Sequence, residues 1–309
     1  MSAPVKHLLQ QGPVIQALMG VGWDAVFGTR PTALPALPAP ALTATVGPRP
    51  DSLVRDVRRW AGGDPKAPHL PPHLFPQWGF PLLSRTLARV PYPLPKVLNQ
   101  GCRITVHAPL PKGVPLTLTA RLQDAREEPG KARLHQRLVT GTAEVPEAVV
   151  ADVFAVVPLP REGARGPRKR GARPGVPIGA RELDGRRFGA GAGRDFAILT
   201  GDINPIHVFA PAARAAGFRS CILHGFGTLA WAWEGLVARR LAGDEARLAQ
   251  IDVRFTRPLV LPNTVRLYTF DAPADAPAGP DGTTPQGFGV AEAAGGPAFM
   301  LGTAWLRDA

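Results

Sequence analysis

Cysteine is nearly missing from this chain: two residues, Cys102 and Cys221, stand far apart in a sequence of 309. That spacing excludes a disulfide framework and fits a reducing compartment, so a cytoplasmic location is expected. Neither cysteine belongs to a Cys/His ligand spacing, so no metal is expected. No apolar run approaches the roughly 18 residues that a membrane span needs. The first 28 residues, MSAPVKHLLQQGPVIQALMGVGWDAVFG, interrupt their apolar part with Gln and Pro and lack a clean cleavage site. No signal peptide is expected from them. Acidic residues are scarce as well, 24 against 36 basic ones, for a formal net charge of +12. Such a surplus favours an anionic partner but does not choose between nucleic acid, a phosphorylated cofactor and an acidic carrier protein. Aromatic interleaving and nucleic-acid motifs are missing, which counts against nucleic acid.

What is present is an ordinary globular balance, 45% apolar and 19% charged, with 36 Pro and 34 Gly. The Pro and Gly cluster in stretches such as PTALPALPAPA and APAGPDGTTPQG, which read as loops or linkers between folded segments. Much of the basic surplus lies in REGARGPRKRGARPG, residues 161 to 175, which carries six basic side chains against Glu162. Without apolar periodicity it reads as a solvated linker, with an anion-binding arm as the alternative. These boundaries divide the chain into an N-terminal extension with its Pro/Ala linker (1–40), a first unit (41–160), the basic linker (161–175) and a second unit (176–309).

The two units repeat one order of elements. The first begins with ALTATV, a helical DSLVRDVRRWA and a buried helix around WGFPLLSRTLARV, then turns to period-two strands in RITVHAPL, VPLTLTARL, ARLHQRLVTGTAEV and AVVADVFAVVPL. In the second, a loop and a short helical PAARAAGF precede LHGFGTLAWAWEGLVARRLAG, which is apolar on nearly every side and should be a helix inside a core. Strand patterns follow in LAQIDVRFTRPLV, TVRLYTF, GFGVAEAA and AFMLGTAWLR. One apolar helix followed by an antiparallel sheet, twice, suggests a duplicated α+β unit.

The stretch RDFAILTGDINPIH carries the chemistry. Gly-Asp and Asn-Pro are common turn punctuation, and alone they would mark only a loop. Here they continue into APAARAAGF and CILHGFGTLA. The positions Phe196, Thr200, Gly201, Asp202, Asn204, Pro205, Ile206, His207, Gly217, Phe218, His224 and Gly225 together resemble the hydratase-2 motif of the MaoC-like enoyl-CoA hydratases. The match is dense over about 35 residues of the second unit. The first unit resembles the family only in element order and lacks the motif, as a degenerate repeat would.

That resemblance implies a double hot-dog fold, each half an antiparallel sheet wrapped around a central helix. It implies an (R)-specific hydratase or dehydratase acting on fatty acyl thioesters carried by coenzyme A or acyl carrier protein. It assigns Asp202 and His207 as a catalytic dyad, with His207 as the base for water and Asp202 as the proton shuttle. Gly225 becomes the oxyanion donor, a role suited to the free amides at a helix start. Thr200, Gly201, Asn204, Pro205 and His224 are expected to support the dyad, His224 through structural hydrogen bonds. Phe226, Trp231 and Trp233 are candidates for acyl-pocket lining, although the tryptophans also read as core packing. Arg254 and Arg257 are candidates for carrier phosphate, although strand arginines are usually just solvated. No cofactor is expected, and a homodimer is a candidate assembly. One departure stands out: many relatives carry an acidic or amide residue two places after the motif His, and this chain has Val208-Phe209 there. Two alternatives stay open, a thioesterase on the same scaffold and a basic binding protein for nucleic acid or an acidic partner.

Overall fold

The computed structural model describes residues 2–27, 31–160 and 173–308. The basic stretch therefore falls outside the described residues except for its end, where Arg173 is exposed. In chain order the helices are α1 (Gly12–Phe27), α2 (Asp51–Ala61), α3 (Phe75–Thr86), α4 (Ala192–Thr200), α5 (Pro205–Val208), α6 (Ala210–Ala215) and α7 (Gly225–Arg240). The main strands are β1 (Leu42–Val46), β2 (Leu98–Val106), β3 (Leu116–Glu128), β4 (Lys131–Gly141), β5 (Val149–Pro158), β6 (Arg181–Phe188), β7 (Leu248–Phe255), β8 (Asn263–Asp271), β9 (Thr283–Ala291) and β10 (Met300–Arg307).

These ten strands form one antiparallel sheet in the order β1-β3-β4-β5-β2-β7-β10-β9-β8-β6. The halves join at its middle, where β2 pairs β7 from Gln250↔Thr105 to Arg254↔Gly101. Helix α3 packs on β1, β3 and β4 of the first half and α7 on β6, β7 and β10 of the second, which is the double hot-dog arrangement. Strand alternation is clear in β3, where Leu116, Leu118, Ala120 and Leu122 are buried. Their side chains share one face of the pleat, toward the core.

Each central helix sits close to its surroundings because glycine allows it. A Cβ on Gly79 of α3 would lie 2.2 Å from Leu138, and one on Gly235 of α7 would lie 2.7 Å from Leu267. From Gly227 to Val237 every residue of α7 is buried. It has no polar face to offer water, as its sequence predicts.

Helix α2 buries Leu53, Val54, Val57, Trp60 and Ala61, the i, i+1, i+4, i+7, i+8 stripe of an amphipathic helix. It also buries Arg58, which reaches Glu234 on α7 at 3.2 Å and Glu245 at 2.7 Å. His73 donates its Nε2 proton to the same Glu234 at 2.8 Å. An ion network thus ties the first half to the central helix of the second, and its charges are tolerated because each has partners.

Two elements differ from the sequence expectation. Strand β6, RELDGRRF, carries no apolar alternation because it is the sheet edge, with only Phe188 buried. The N-terminal segment, whose purpose is unreadable in sequence, packs on the body. Gln11 Nε2 donates to Leu199 O at 3.0 Å and to Ile198 O at 3.4 Å, and Gln77 Nε2 donates to Gln11 Oε1 at 2.9 Å. No described helix is long and apolar enough to cross a membrane.

Candidate active site

The motif starts at the end of α4. Thr200 Oγ1 donates back to Phe196 O at 2.8 Å, and the helix stops at Gly201, whose φ of 82° is left-handed and suits glycine. Gly201 also lies against α1, since a Cβ there would sit 2.8 Å from Val14. The chain then folds into an Asx turn, with Asn204 N donating to Asp202 Oδ1 at 3.3 Å. Asn204 in turn caps α5, its Oδ1 accepting from Ile206 N at 3.3 Å, with Pro205 in the first helical turn. A side-chain cap followed by proline is a strong helix start. It brings His207 round by one turn onto the side of Asp202.

His207 is held by its Nδ1, which donates to Ile222 O at 2.9 Å. This fixes the tautomer and leaves Nε2 with its lone pair free for a proton. The carbonyl belongs to Ile222–Leu223, a short strand paired with Leu259–Val260. Next in the chain is His224, the cap residue of α7, buried, with Nε2 donating to Asp202 O at 2.9 Å. Its Nδ1 is buried with no hydrogen-bond partner among the described residues. The two imidazoles stack, centroids 3.6 Å apart, and Phe196 flanks His224 at 5.0 Å. A ligating atom from each of Asp202, His207 and His224 lies within 4.8 Å of the other two.

Burial pushes the His207 pKa down against the opposing pull of Asp202. Burial likewise takes His224 down to about 4, again opposed by Asp202. Both rings are therefore neutral at neutral pH, and His207 is poised as a base.

Helix α7 begins at Gly225, and its first bonds into His224 O come from Gly227 N at 3.0 Å and Thr228 N at 3.1 Å. The Gly225 amide thus precedes the helical ladder, at the positive end of the helix dipole. A Cβ at Gly225 would strike the Phe255 ring at 2.8 Å.

The remaining expected residues spread outward. Phe226 is half-buried and meets Phe75 of α3 edge-on at 5.3 Å and Phe255 at 5.8 Å, so it stands where the halves meet. Trp231 packs edge-on to Phe188 at 5.7 Å and Trp233 lies 6.2 Å from His73. Both are fully buried core residues. Arg254 is exposed on β7. Arg257 lies over the Phe299 ring at 3.8 Å, with Glu292 at 3.4 Å and its Nε buried without a hydrogen-bond partner. Val208 and Phe209 are exposed, 36% and 58%. Two supports escape sequence reasoning. Gly193 lets α4 approach α5, since a Cβ there would lie 2.3 Å from His207 O. Gln11 holds the last turn of α4 from the distant N-terminus.

Residues 190–271 match the MaoC like domain family. The chain is 32% identical over 169 residues to 3-hydroxyacyl-thioester dehydratase Y of Mycobacterium tuberculosis, a match covering 52% of this chain and 56% of that one. The alignment thus spans little more than half of that relative. Among solved structures, a MaoC-like dehydratase superposes with a TM-score of 0.70 at 17% identity, over 90% of this chain and all (100%) of that one. A conserved Mycobacterium tuberculosis protein described as having a double hotdog fold gives 0.53 at 16% identity, over 86% and 95%. The chain is a double hot-dog protein. The match to the MaoC like domain family lies in its second half and spans Asp202, His207 and Gly225.

Proposed function

We propose that the protein is a hydro-lyase that adds water to trans-2-enoyl thioesters to give (R)-3-hydroxyacyl thioesters, or catalyses the reverse dehydration. The observation that carries this reading is the convergence of Asp202 and His207 beside the first amide of a buried helix. In hydration, His207 Nε2 takes a proton from water as the water oxygen bonds to C3. The electron pair of the double bond moves toward the thioester carbonyl, whose oxygen is held by the Gly225 amide. Collapse of that enolate takes a proton at C2: the proton that His207 removed from water passes to the Asp202 carboxylate, which shuttles it to C2. One water is consumed, and both groups return to their starting states.

Asn204 and Pro205 set the turn that aims His207, and the His224 ring holds the Asp202 backbone in place. Phe226 is the expected contact for the acyl chain, because unlike Trp231 and Trp233 it is not fully enclosed. The carrier is coenzyme A or acyl carrier protein, with Arg254 and Arg257 as its phosphate contacts. The reaction needs no metal or redox cofactor. The test is to supply a medium-chain trans-2-enoyl-CoA, follow loss of the conjugated double bond and resolve the product on a chiral column. Formation of the (R)-3-hydroxyacyl product, lost in Asp202→Asn and His207→Ala, is the expected result. Release of free thiol without that product would move the assignment to a thioesterase.

A further inference from the structure

A cavity of about 600 Å³ opens between the edge strand β6, helix α2, the first turn of α4 and residues 2–4. It is a separate space from the dyad: Asp202, His207 and His224 do not line it. Aromatic rings stand between the two: Trp60, which lines the cavity, lies 5.0 Å from Phe196 at a tilt of 47°, and Phe196 lies 5.0 Å from His224 at a tilt of 48°. The volume lies within the range of small-molecule sites.

Its charge is one-sided. Arg59, Arg186, Arg187 and Arg194 line it against Asp56 and Asp195. Both carboxylates are already engaged within the protein. Asp56 accepts from His7 Nε2 at 2.8 Å and pairs with Arg59, and Asp195 accepts from Ser2 Oγ at 3.2 Å and Ala3 N at 3.3 Å. Among the described residues, Arg186, Arg187 and Arg194 have no ion-pair partner.

Arg186 is the most telling of the three. Its guanidinium lies 5.0 Å over the Trp60 ring and 4.6 Å over that of Phe188. Burial lowers its pKa to about 10, with Asp184 opposing. A partly buried guanidinium fixed on two rings, its hydrogen-bonding fork unspent, is pre-organised for a tetrahedral oxyanion. The cavity also faces the start of α4, whose dipole adds to the same sign.

We infer that this cavity is a binding site for a small phosphate-bearing anion, held by Arg186, Arg187 and Arg194 and separate from the dyad. The phosphate could come from a free metabolite or from the nucleotide of a thioester carrier, and the chemistry of the site is the same for both.

The test is isothermal titration of the full chain with inorganic pyrophosphate. Saturable, salt-weakened binding is expected, weaker by roughly tenfold or more in Arg186→Lys, which keeps the charge and loses the fork, and in Arg187→Ala/Arg194→Ala. The latter two positions are exposed, so that variant should melt like the parent. Asp202→Asn should bind pyrophosphate as the parent does. Coenzyme A competing for the site would assign the phosphate to a carrier, and simultaneous binding would assign it to a free ligand. Absence of binding at millimolar pyrophosphate would overturn the inference. So would affinity unchanged in both arginine variants.

Discussion

The rings of His207 and His224 lie face to face, centroids 3.6 Å apart and 25° from parallel. Two imidazolium ions cannot comfortably share that distance in a buried site, and burial lowers both pKa values. The acid limb of the hydration rate should follow from this. His207 acts as a base only when neutral, so kcat/KM should stay high at neutral pH and fall only below the ordinary histidine value of 6.5. A pH profile with its acid limb at or above 6.5 would remove His207 from that role.

The same burial makes stability depend on acid. The folded-state pKa of His224 lies near 4 against an ordinary 6.5. In that window the unfolded chain binds a proton that the folded chain refuses, so folding is weakened as pH falls from 6.5 toward 4. Through linkage the loss amounts to about 3 kcal/mol from this one ring. Urea denaturation at several pH values should therefore give a steeper decline for the parent than for His224→Asn. Equal slopes would assign the acid sensitivity to other groups.

The network on α7 makes a different prediction. Glu234 accepts from Arg58 and His73 where all three are nearly inaccessible. Glu234→Ala leaves the buried Arg58 guanidinium with Glu245 as its one carboxylate and His73 without its acceptor, and should cost up to roughly 3–5 kcal/mol. Replacing both partners, Glu234→Leu with Arg58→Met, should cost clearly less, because the buried guanidinium goes with its buried acceptor and the half-buried Glu245 keeps His69. Denaturant midpoints decide it, and additive losses would mean that the pair is not coupled.

The sequence carries the site better than its supports. The turn from Gly201 to His207 is legible because each residue there has a local role, as a left-handed stop, an Asx turn, a cap or a proline. Helix α7 is legible because it is apolar all round, β3 and β4 because their alternation has one buried face, and β5 because it is a nearly continuous apolar run. Strand β6 is illegible because an edge strand needs no such alternation. Gln11 is illegible for another reason: its bond to Leu199 spans 188 positions, and no local pattern encodes a partner that distant. The Arg58–Glu234 contact, 176 positions apart, is hidden in the same way.

Gln11 therefore offers a test of action from outside the motif. It caps the last carbonyls of α4 immediately before Gly201, while Val14 packs against Gly201 itself. Gln11→Ala leaves those carbonyls and Gln77 short of a buried partner, at about 1–3 kcal/mol. The expected result is a lower melting temperature together with a reduced kcat, because the turn that aims His207 loosens. A stability loss with kcat unchanged would make the N-terminal segment a structural brace alone.

A last prediction concerns metal. A carboxylate and two imidazoles with ligating atoms within 4.8 Å of one another form a set that could hold a divalent ion. Each ring also donates one N–H to a backbone carbonyl, as ligating histidines do. Ring orientation argues the other way. Imidazole lone pairs lie in the ring plane, and two planes stacked 3.6 Å apart and 25° from parallel point their lone pairs nearly alongside each other. They do not converge on one ion at the roughly 2.0–2.1 Å that zinc requires. Dialysis against a strong chelator should therefore leave the hydration rate unchanged, and added zinc should inhibit by occupying Asp202 and His207. A rate abolished by chelation and restored by one metal would reassign the three residues as ligands, with metal-bound water as the nucleophile.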